Sequence, residues 1–227
     1  MLKIIQNSPN SFQSEDTKTF NDISGFFFIN NNHKIIIDIN NIIIDDINII
    51  IYKNNNHIGG NIWLSSILLI LYLQEKNKNI FNNKKILELG AGTALLSMYI
   101  SKISKNSIIT ASDYDISITN ENIINNNLDN ILIKKIDWNN LDDSDLDKYD
   151  IIILSDCIYR TTYKSLLLTI KKYLNPKGKI LISNADRENL DEFIYGMKEI
   201  NSEIKNIKEK LYYNDKYYID LNVIFYI

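Results

Sequence analysis

Runs of isoleucine and phenylalanine punctuated by Asn and Asp fill the first quarter of the chain. Residues 25–29, 33–39 and 42–52 are β-branched or aromatic stretches bounded by turn residues, which predicts strands in a hairpin-like N-terminal extension. The triplets at 30–32 and 54–56 are all Asn, which tolerates left-handed backbone and so suits turns. Residues 1–21 carry no clear period and read as a loosely held lead-in. Residues 62–73 are apolar almost throughout, broken only by Ser65 and Ser66. Falling well short of the ~20 residues that cross a bilayer, this stretch predicts a buried helix.

From residue 84 the pattern alternates. Strands are predicted at 85–89, 107–112, 131–136, 149–154 and 179–183, and helices at 93–104, 116–127, 163–174 (stopping before Pro176) and 187–200. This βαβ repetition implies a mainly parallel sheet with helices on both faces. The ending differs: 204–213 and 217–227 are strand-like runs joined at Asn214-Asp215-Lys216, too short for a crossover helix, so they pair antiparallel. The expected fold is α/β and Rossmann-like, with an antiparallel C-terminal end and an N-terminal β extension. One domain is expected over 1–227, with 1–56 as the extension and 57–227 as the core.

Composition narrows the function classes. Isoleucine and asparagine dominate, as AT-rich codon usage imposes, and only seven glycines and two prolines are present. Each glycine therefore marks a place where the backbone needs it, and Gly90 and Gly92 lie two apart. A net charge of −3 offers no long-range attraction to nucleic acid. One cysteine and two histidines give neither a disulfide nor a zinc set, so no metal and a reducing compartment are expected. The N-terminus lacks the apolar core of a signal peptide, and the expected location is cytoplasmic with nuclear access open. No membrane partner is expected, and a monomer is favoured.

The chemistry concentrates after the strands. The first parallel strand runs into Glu88-Leu89-Gly90-Ala91-Gly92-Thr93-Ala94, a turn whose glycines let the backbone approach a ligand. A tight turn without a ligand could use the same glycines. The second strand ends at Ser112-Asp113-Tyr114, where a carboxylate roughly twenty residues on can accept from both ribose hydroxyls. As a helix cap, Asp115 is better placed than Asp113. Together these residues indicate a nucleoside-bearing ligand and leave NAD and S-adenosylmethionine both open. Asp137-Trp138 follows the third strand and offers a carboxylate and a ring to a base. Ser155-Asp156-Cys157-Ile158-Tyr159 follows the fourth. Core and capping roles for Trp138 and Asp156 are the plainer alternatives.

Taken with Gly60-Asn61-Ile62-Trp63-Leu64-Ser65-Ser66, these segments resemble the small seven-strand protein-lysine methyltransferases, over about residues 60–181. The Gly-x-Ile-Trp-x-Ser and Asp-x-x-Tyr segments discriminate, since the glycine turn is common to methyltransferases of the fold. The resemblance implies that Glu88, Gly90, Ala91 and Gly92 line the methionine end of S-adenosylmethionine, Asp113 and Tyr114 the ribose side, and Asp137 with Trp138 the adenine. Trp63 would close over the cofactor with Ser155 nearby, and Asp156 and Tyr159 would sit at the transfer mouth. The implied partner is a protein carrying the target lysine. Leu64 stands where the family has proline and Ala94 where it has glycine, departures that bear on cofactor affinity. Cys157, with no histidine nearby in sequence, reads as a small apolar filler. The rivals are methylation of a small molecule or another side chain, a silent binding module, and a nicotinamide enzyme, which the antiparallel ending disfavours.

Overall fold

The computed structural model describes residues 19–20, 25–29, 33–38, 40–54, 56–75, 78–159, 163–186, 188–200, 203–213 and 216–226. Most of the lead-in at 1–21, the Asn214-Asp215 turn and Arg187 lie outside them.

The N-terminal strands form a meander of β2 (Gly25–Ile29), β3 (His33–Asp38), β4 (Asn41–Ile44) and β5 (Ile47–Ile50), each antiparallel to the next. The run 42–52 is thus two strands, not one. Asp45 takes a left-handed φ of +51° and turns the chain between them, the chemistry by which a short polar pair breaks an isoleucine run. Period-two alternation puts Ile35, Ile37, Ile42, Ile44 and Ile49 in the core. Ile62 and Trp63 form strand β6, paired with β1 (Thr19–Phe20), instead of opening the helix. Helix α1 (Leu64–Glu75) begins after them and is buried on nearly every side, which explains a sequence apolar all round.

The parallel strands are β7 (Lys85–Leu89), β8 (Ile108–Asp113), β9 (Ile131–Lys135), β10 (Tyr149–Ser155) and β11 (Leu174–Ala185). They alternate with α2 (Leu95–Ile103), α3 (Ser117–Asn125) and α4 (Tyr163–Tyr173), and α5 (Leu190–Ile200) follows β11. Along β10, Ile151 and Ile153 join the core with α1 and α2, whereas Ile152 and Leu154 join the core with α4 and α5. Burial on both faces is what the unbroken apolar run encodes. Strand β11 starts earlier than 179. Pairing with β10 jumps from Leu174 to Lys179, so Pro176 falls in a bulge where its missing N–H costs nothing.

Strands β12 (Lys205–Tyr213) and β13 (Lys216–Tyr226) pair antiparallel, and β13 docks antiparallel on β11. The order is β5-β4-β3-β2-β12-β13-β11-β10-β7-β8-β9. Among the described residues, one sheet of eleven strands therefore stands where the resemblance implies seven, because β2 pairs with β12 and adds the N-terminal meander. Its five parallel strands form one end and the antiparallel ones the other. The chain runs outward from β7 through β8 to β9 and returns to lay β10 on the opposite side of β7. In open α/β sheets a ligand binds at such a reversal, outside the carboxyl ends of the strands. No helix among the described residues is long and apolar enough to cross a membrane.

Candidate active site

The turn leaving β7 is left-handed at Gly90 (φ +67°), Gly92 (φ +51°) and Ala94 (φ +61°). Ala94 so holds a conformation that costs an alanine about 1–2 kcal/mol, and α2 begins at Leu95 rather than 93. The turn is clasped from all sides. Ala91 N–H donates to the Ser112 carbonyl at 2.9 Å, and Thr119 Oγ1 donates to the Gly92 carbonyl at 2.7 Å. A Cβ at Gly90 would lie 2.6 Å from Cys157 Sγ and 3.3 Å from Trp138 Cζ2. Trp138, half-buried, thus packs its ring against the turn and also on the α4–α5 core, so the core and site readings of this residue coincide.

Asp113 ends β8, and its Oδ2 accepts the Gly92 N–H at 2.8 Å. Burial raises its carboxyl, opposed by the N–H groups of Gly92, Asp115 and Tyr114. The N-cap residue of α3 is Ile116, and Asp115 just before it bonds the first turn: its Oδ1 accepts from Ser117 N–H at 3.0 Å and Oγ at 2.6 Å. Tyr114 is 64% exposed at the rim with Lys135 Nζ 4.9 Å above its ring. Asp137 is half-buried and accepts from Asn139 N–H at 2.9 Å. A cavity of about 360 Å³ lined by Lys134, Asn140, Leu141 and Tyr173 among others reaches Asp137 but not Gly90, Asp113 or Asp156, so it is a neighbour of the cleft.

On the other side of β7, Ser155 closes β10 and Asp156 turns the chain with φ +55°, its N–H donating to the Ser183 carbonyl at 2.9 Å. Asp156 is 8% exposed and Tyr159 half-buried. Asn184, wholly buried at the end of β11, holds the loop between them: its Oδ1 accepts Ile158 N–H at 3.0 Å and its Nδ2 donates to the Ile158 carbonyl at 3.2 Å. Cys157 Sγ donates to the Leu89 carbonyl at 3.2 Å, and burial, then the charges of Asp113, Asp156 and Glu88, push its thiol well up. An un-ionised buried thiol is a filler, as the sequence suggests.

Glu88 points inward instead of into open space. Its Oε2 accepts the Ser97 N–H at 2.9 Å and the Ser97 hydroxyl. Burial lifts its carboxyl from 4.5 to about 7 against those two bonds, with a smaller push from Asp113. Such a group binds its proton more tightly in the native state, so its contribution to stability is full below pH 4.5 and lost as pH rises to about 7. The loss is about 3 kcal/mol. Glu88→Gln keeps the acceptor for Ser97 and removes the titration. Ligand-free thermal melts across pH 4 to 8, on the order of the window above, should show the variant flatter and more stable than the native protein at the alkaline end. Parallel profiles would assign the titration to another group.

Trp63 is half-buried at the end of β6, just before α1, its carbonyl accepting from Ser66 Oγ at 2.7 Å. What reaches the glycine turn from its motif is the short 3-10 turn Ile58–Gly60 just before it. The Gly59 carbonyl oxygen is 2.6 Å from where a Cβ on Gly92 would sit, and a Cβ on Gly59 would lie 3.8 Å from Asp113 Oδ2. Gly60 has no room for a Cβ, which would overlap the Asn54 carbonyl oxygen at 2.1 Å. Sequence reading passed over Gly59, Thr119, Asn122 and Asn184. For Gly59 the scarcity of glycine was a usable signal.

Asp113 thus bonds the turn directly, and Asp156 directly precedes Cys157, whose Sγ donates to the Leu89 carbonyl, while Glu88 lies beneath the turn on Ser97. The Asp113 carboxylate suits the ribose of either candidate ligand, and Asp156 across β7 adds negative charge that favours a cation. S-Adenosylmethionine, with a sulfonium and an ammonium, fits it, and a bare glycine backbone leaves room for close approach.

A parallel sheet with helices on both faces, an antiparallel end and a cation-favouring cleft at the strand reversal defines an S-adenosylmethionine-dependent methyltransferase. The sequence model of the family described as lysine methyltransferase matches residues 44–200, and the chain belongs to that family. Methyltransferase-like protein 23 of Dictyostelium discoideum is 32% identical over 224 residues, covering 86% of this chain and 82% of that one. Protein N-lysine methyltransferase METTL21A of Xenopus tropicalis is 23% identical over 201 residues, 85% of each chain. Among solved structures, precorrin 8w decarboxylase from Methanobacterium thermoautotrophicum shares the fold with a TM-score of 0.57 at 18% identity, over 77% of this chain and 95% of that one.

Proposed function

We propose that this protein transfers the methyl group of S-adenosylmethionine to the side-chain amine of a lysine in a protein substrate. The observation that carries the reading is the glycine turn at the reversal point of the sheet, with Asp113 bonded to the Gly92 N–H and Cys157, next to Asp156, packed on Gly90. Membership of the lysine methyltransferase family and the name of the Xenopus relative, a protein N-lysine methyltransferase, support lysine as the acceptor.

When bound, S-adenosylmethionine supplies a methyl carbon already activated on a sulfonium, and the protein's part is placement. Gly90, Ala91 and Gly92 offer bare backbone to the methionine end, and Glu88 beneath them a carboxyl. Asp113 offers acceptor oxygen to the ribose, and Tyr114, Asp137 and Trp138 border the adenine. Trp63 and Ser155 flank the cofactor. A lysine amine, with a pKa of ~10.4 in water, arrives charged and must lose its proton before it can attack. Burial at the mouth favours the neutral amine, Asp156 orients it by a hydrogen bond, and Tyr159 packs along its stem. Residues 57–227 act as the catalytic core, with the N-terminal strands bracing it.

Labelled methyl donor incubated with the protein and fractionated cell lysate should mark a protein band. Mass spectrometry should then place the label on a lysine. Label confined to small molecules or to another side chain would overturn the acceptor, and S-adenosylhomocysteine binding without any transfer would overturn the enzymatic reading.

A further inference from the structure

Strand β5 lies at an edge of the sheet, yet the outward backbone groups of Ile50 at its end, and of Tyr52 just beyond it, are paired by side chains. Ile50 donates its N–H to Asn126 Oδ1 at 3.0 Å and accepts from Asn126 Nδ2 at 2.7 Å. Two residues on, Tyr52 donates to Asn122 Oδ1 at 2.7 Å and accepts from Asn122 Nδ2 at 3.1 Å. Residues i and i+2 of an extended chain face the same way, and i and i+4 of a helix share a face. The two amides at the C-terminal half of α3 therefore meet the edge in register, as a neighbouring strand would.

Asn122 does more than close an edge. Its Nδ2 also donates to the Thr93 carbonyl at 3.1 Å, and its side chain is wholly buried. One amide thus joins Tyr52, where a cover over the glycine turn begins, to that turn itself. Beyond Tyr52 the described residues 53–54 and 56–60 set Gly59 against Gly92, held by Asn54 N–H on the Gly60 carbonyl at 2.9 Å and Gly60 N–H on the His57 carbonyl at 3.0 Å. The base and the tip of this cover both rest on the turn.

We propose that Asn122 is a positioning residue of the cofactor site: by bonding Tyr52 and Thr93 at once it seats the 52–60 cover on the glycine turn and so sets cofactor affinity. The inference rests on the cofactor lying across that turn. Asparagine suits the role because it is the shortest side chain with two amide protons beside an acceptor oxygen. An apolar replacement leaves the carbonyl of the buried Thr93, and the backbone of Tyr52, without these partners.

Asn126 provides the control, since it makes the same edge contact without touching the turn. Asn122→Ala and Asn126→Ala should lower the melting temperature comparably. Only Asn122→Ala should weaken S-adenosylhomocysteine in calorimetry, by about tenfold or more, as buried polar groups lose partners. Equal affinities for the native protein and folded Asn122→Ala, or equal weakening in both variants, would overturn the proposal. Should Asn122→Ala not fold, Asn122→Asp keeps the size and the acceptor but sets an oxygen against both carbonyls, and the same loss is expected. Hydrogen exchange on the native protein needs no variant: S-adenosylhomocysteine should protect 52–60 together with 90–93, and protection of 90–93 alone would also overturn the proposal. A native protein that does not bind S-adenosylhomocysteine would instead remove the cofactor reading on which the inference rests.

Discussion

Asp156→Asn should slow methyl transfer at least ~100-fold while leaving S-adenosylhomocysteine affinity within about threefold, the scale of loss when a positioned proton-handling group is neutralised. The backbone dictates this choice of variant. Asp156 sits at φ +55°, a conformation that Asn shares readily with Asp but that costs other residues about 1–2 kcal/mol. Alanine would therefore mix strain in the loop with loss of the carboxylate. Asparagine keeps the turn, the size and the N–H bond to the Ser183 carbonyl, and removes only the charge that orients and accepts from the incoming amine. Transfer rates at saturating donor, beside calorimetry with S-adenosylhomocysteine, separate the two contributions. A variant that transfers at the native rate would take Asp156 out of the chemistry. One that loses cofactor binding in proportion would make it part of the cofactor pocket instead.

Much of the fold was legible because periodicity and burial agree. The strand run at 149–154 is apolar on both faces and is buried on both faces, and 62–73 is apolar all round because α1 lies between other elements. The errors fall where two kinds of structure share one composition. Ile62 and Trp63 continue the apolar pattern of the helix yet pair with Thr19 and Phe20, a partner far away in sequence. The Asp45-Asp46 pair carried a turn signal that the surrounding isoleucines outweighed. The eleven-strand continuity could not be read at all, since the pairing of β2 with β12 is between Phe27–Phe28 and Tyr212–Tyr213, nearly the full chain apart.

The site divides along a different line. Among residues whose rarity makes them conspicuous, Gly90, Gly92 and Trp138 were found and are brought together at the carboxyl ends of β7 and β9, whereas Gly59, equally rare, was missed. Asp113 and Asp156 were found from their position after strands. Asn122 and Asn184, which hold the turn and the Asp156–Tyr159 loop, were missed. In a chain where asparagine is the commonest neutral polar residue, one buried asparagine looks like every exposed one. Only the hydrogen bonds of the folded chain separate them.

Gly92→Ala should nearly abolish cofactor binding and also destabilise the fold, and the two losses have separate causes. A Cβ at this position would lie 2.6 Å from the Gly59 carbonyl oxygen and 3.4 Å from its carbon, all backbone that cannot rotate away. The left-handed φ of +51° adds about 1–2 kcal/mol for any residue with a Cβ. Gly90 differs, because its nearest neighbour is the Sγ of Cys157, a side-chain atom. Relief of Gly92→Ala requires either the 58–60 turn to lift off the glycine turn or Gly92 itself to shift, and the second pulls its N–H from Asp113 Oδ2, a carboxylate assigned to the ribose. Unfolding free energy should fall by roughly 2–3 kcal/mol once displaced backbone is added to the strain. Calorimetry well below the melting point should find S-adenosylhomocysteine at least ~100-fold weaker, about 2.7 kcal/mol. In Gly90→Ala, removing the Sγ by Cys157→Ala should recover part of the stability, whereas no single side-chain truncation should rescue Gly92→Ala. Native-like affinity in a folded Gly92→Ala protein would mean that the ligand does not lie across this turn, and the assignments of Glu88, Gly90 and Asp113 would fall together.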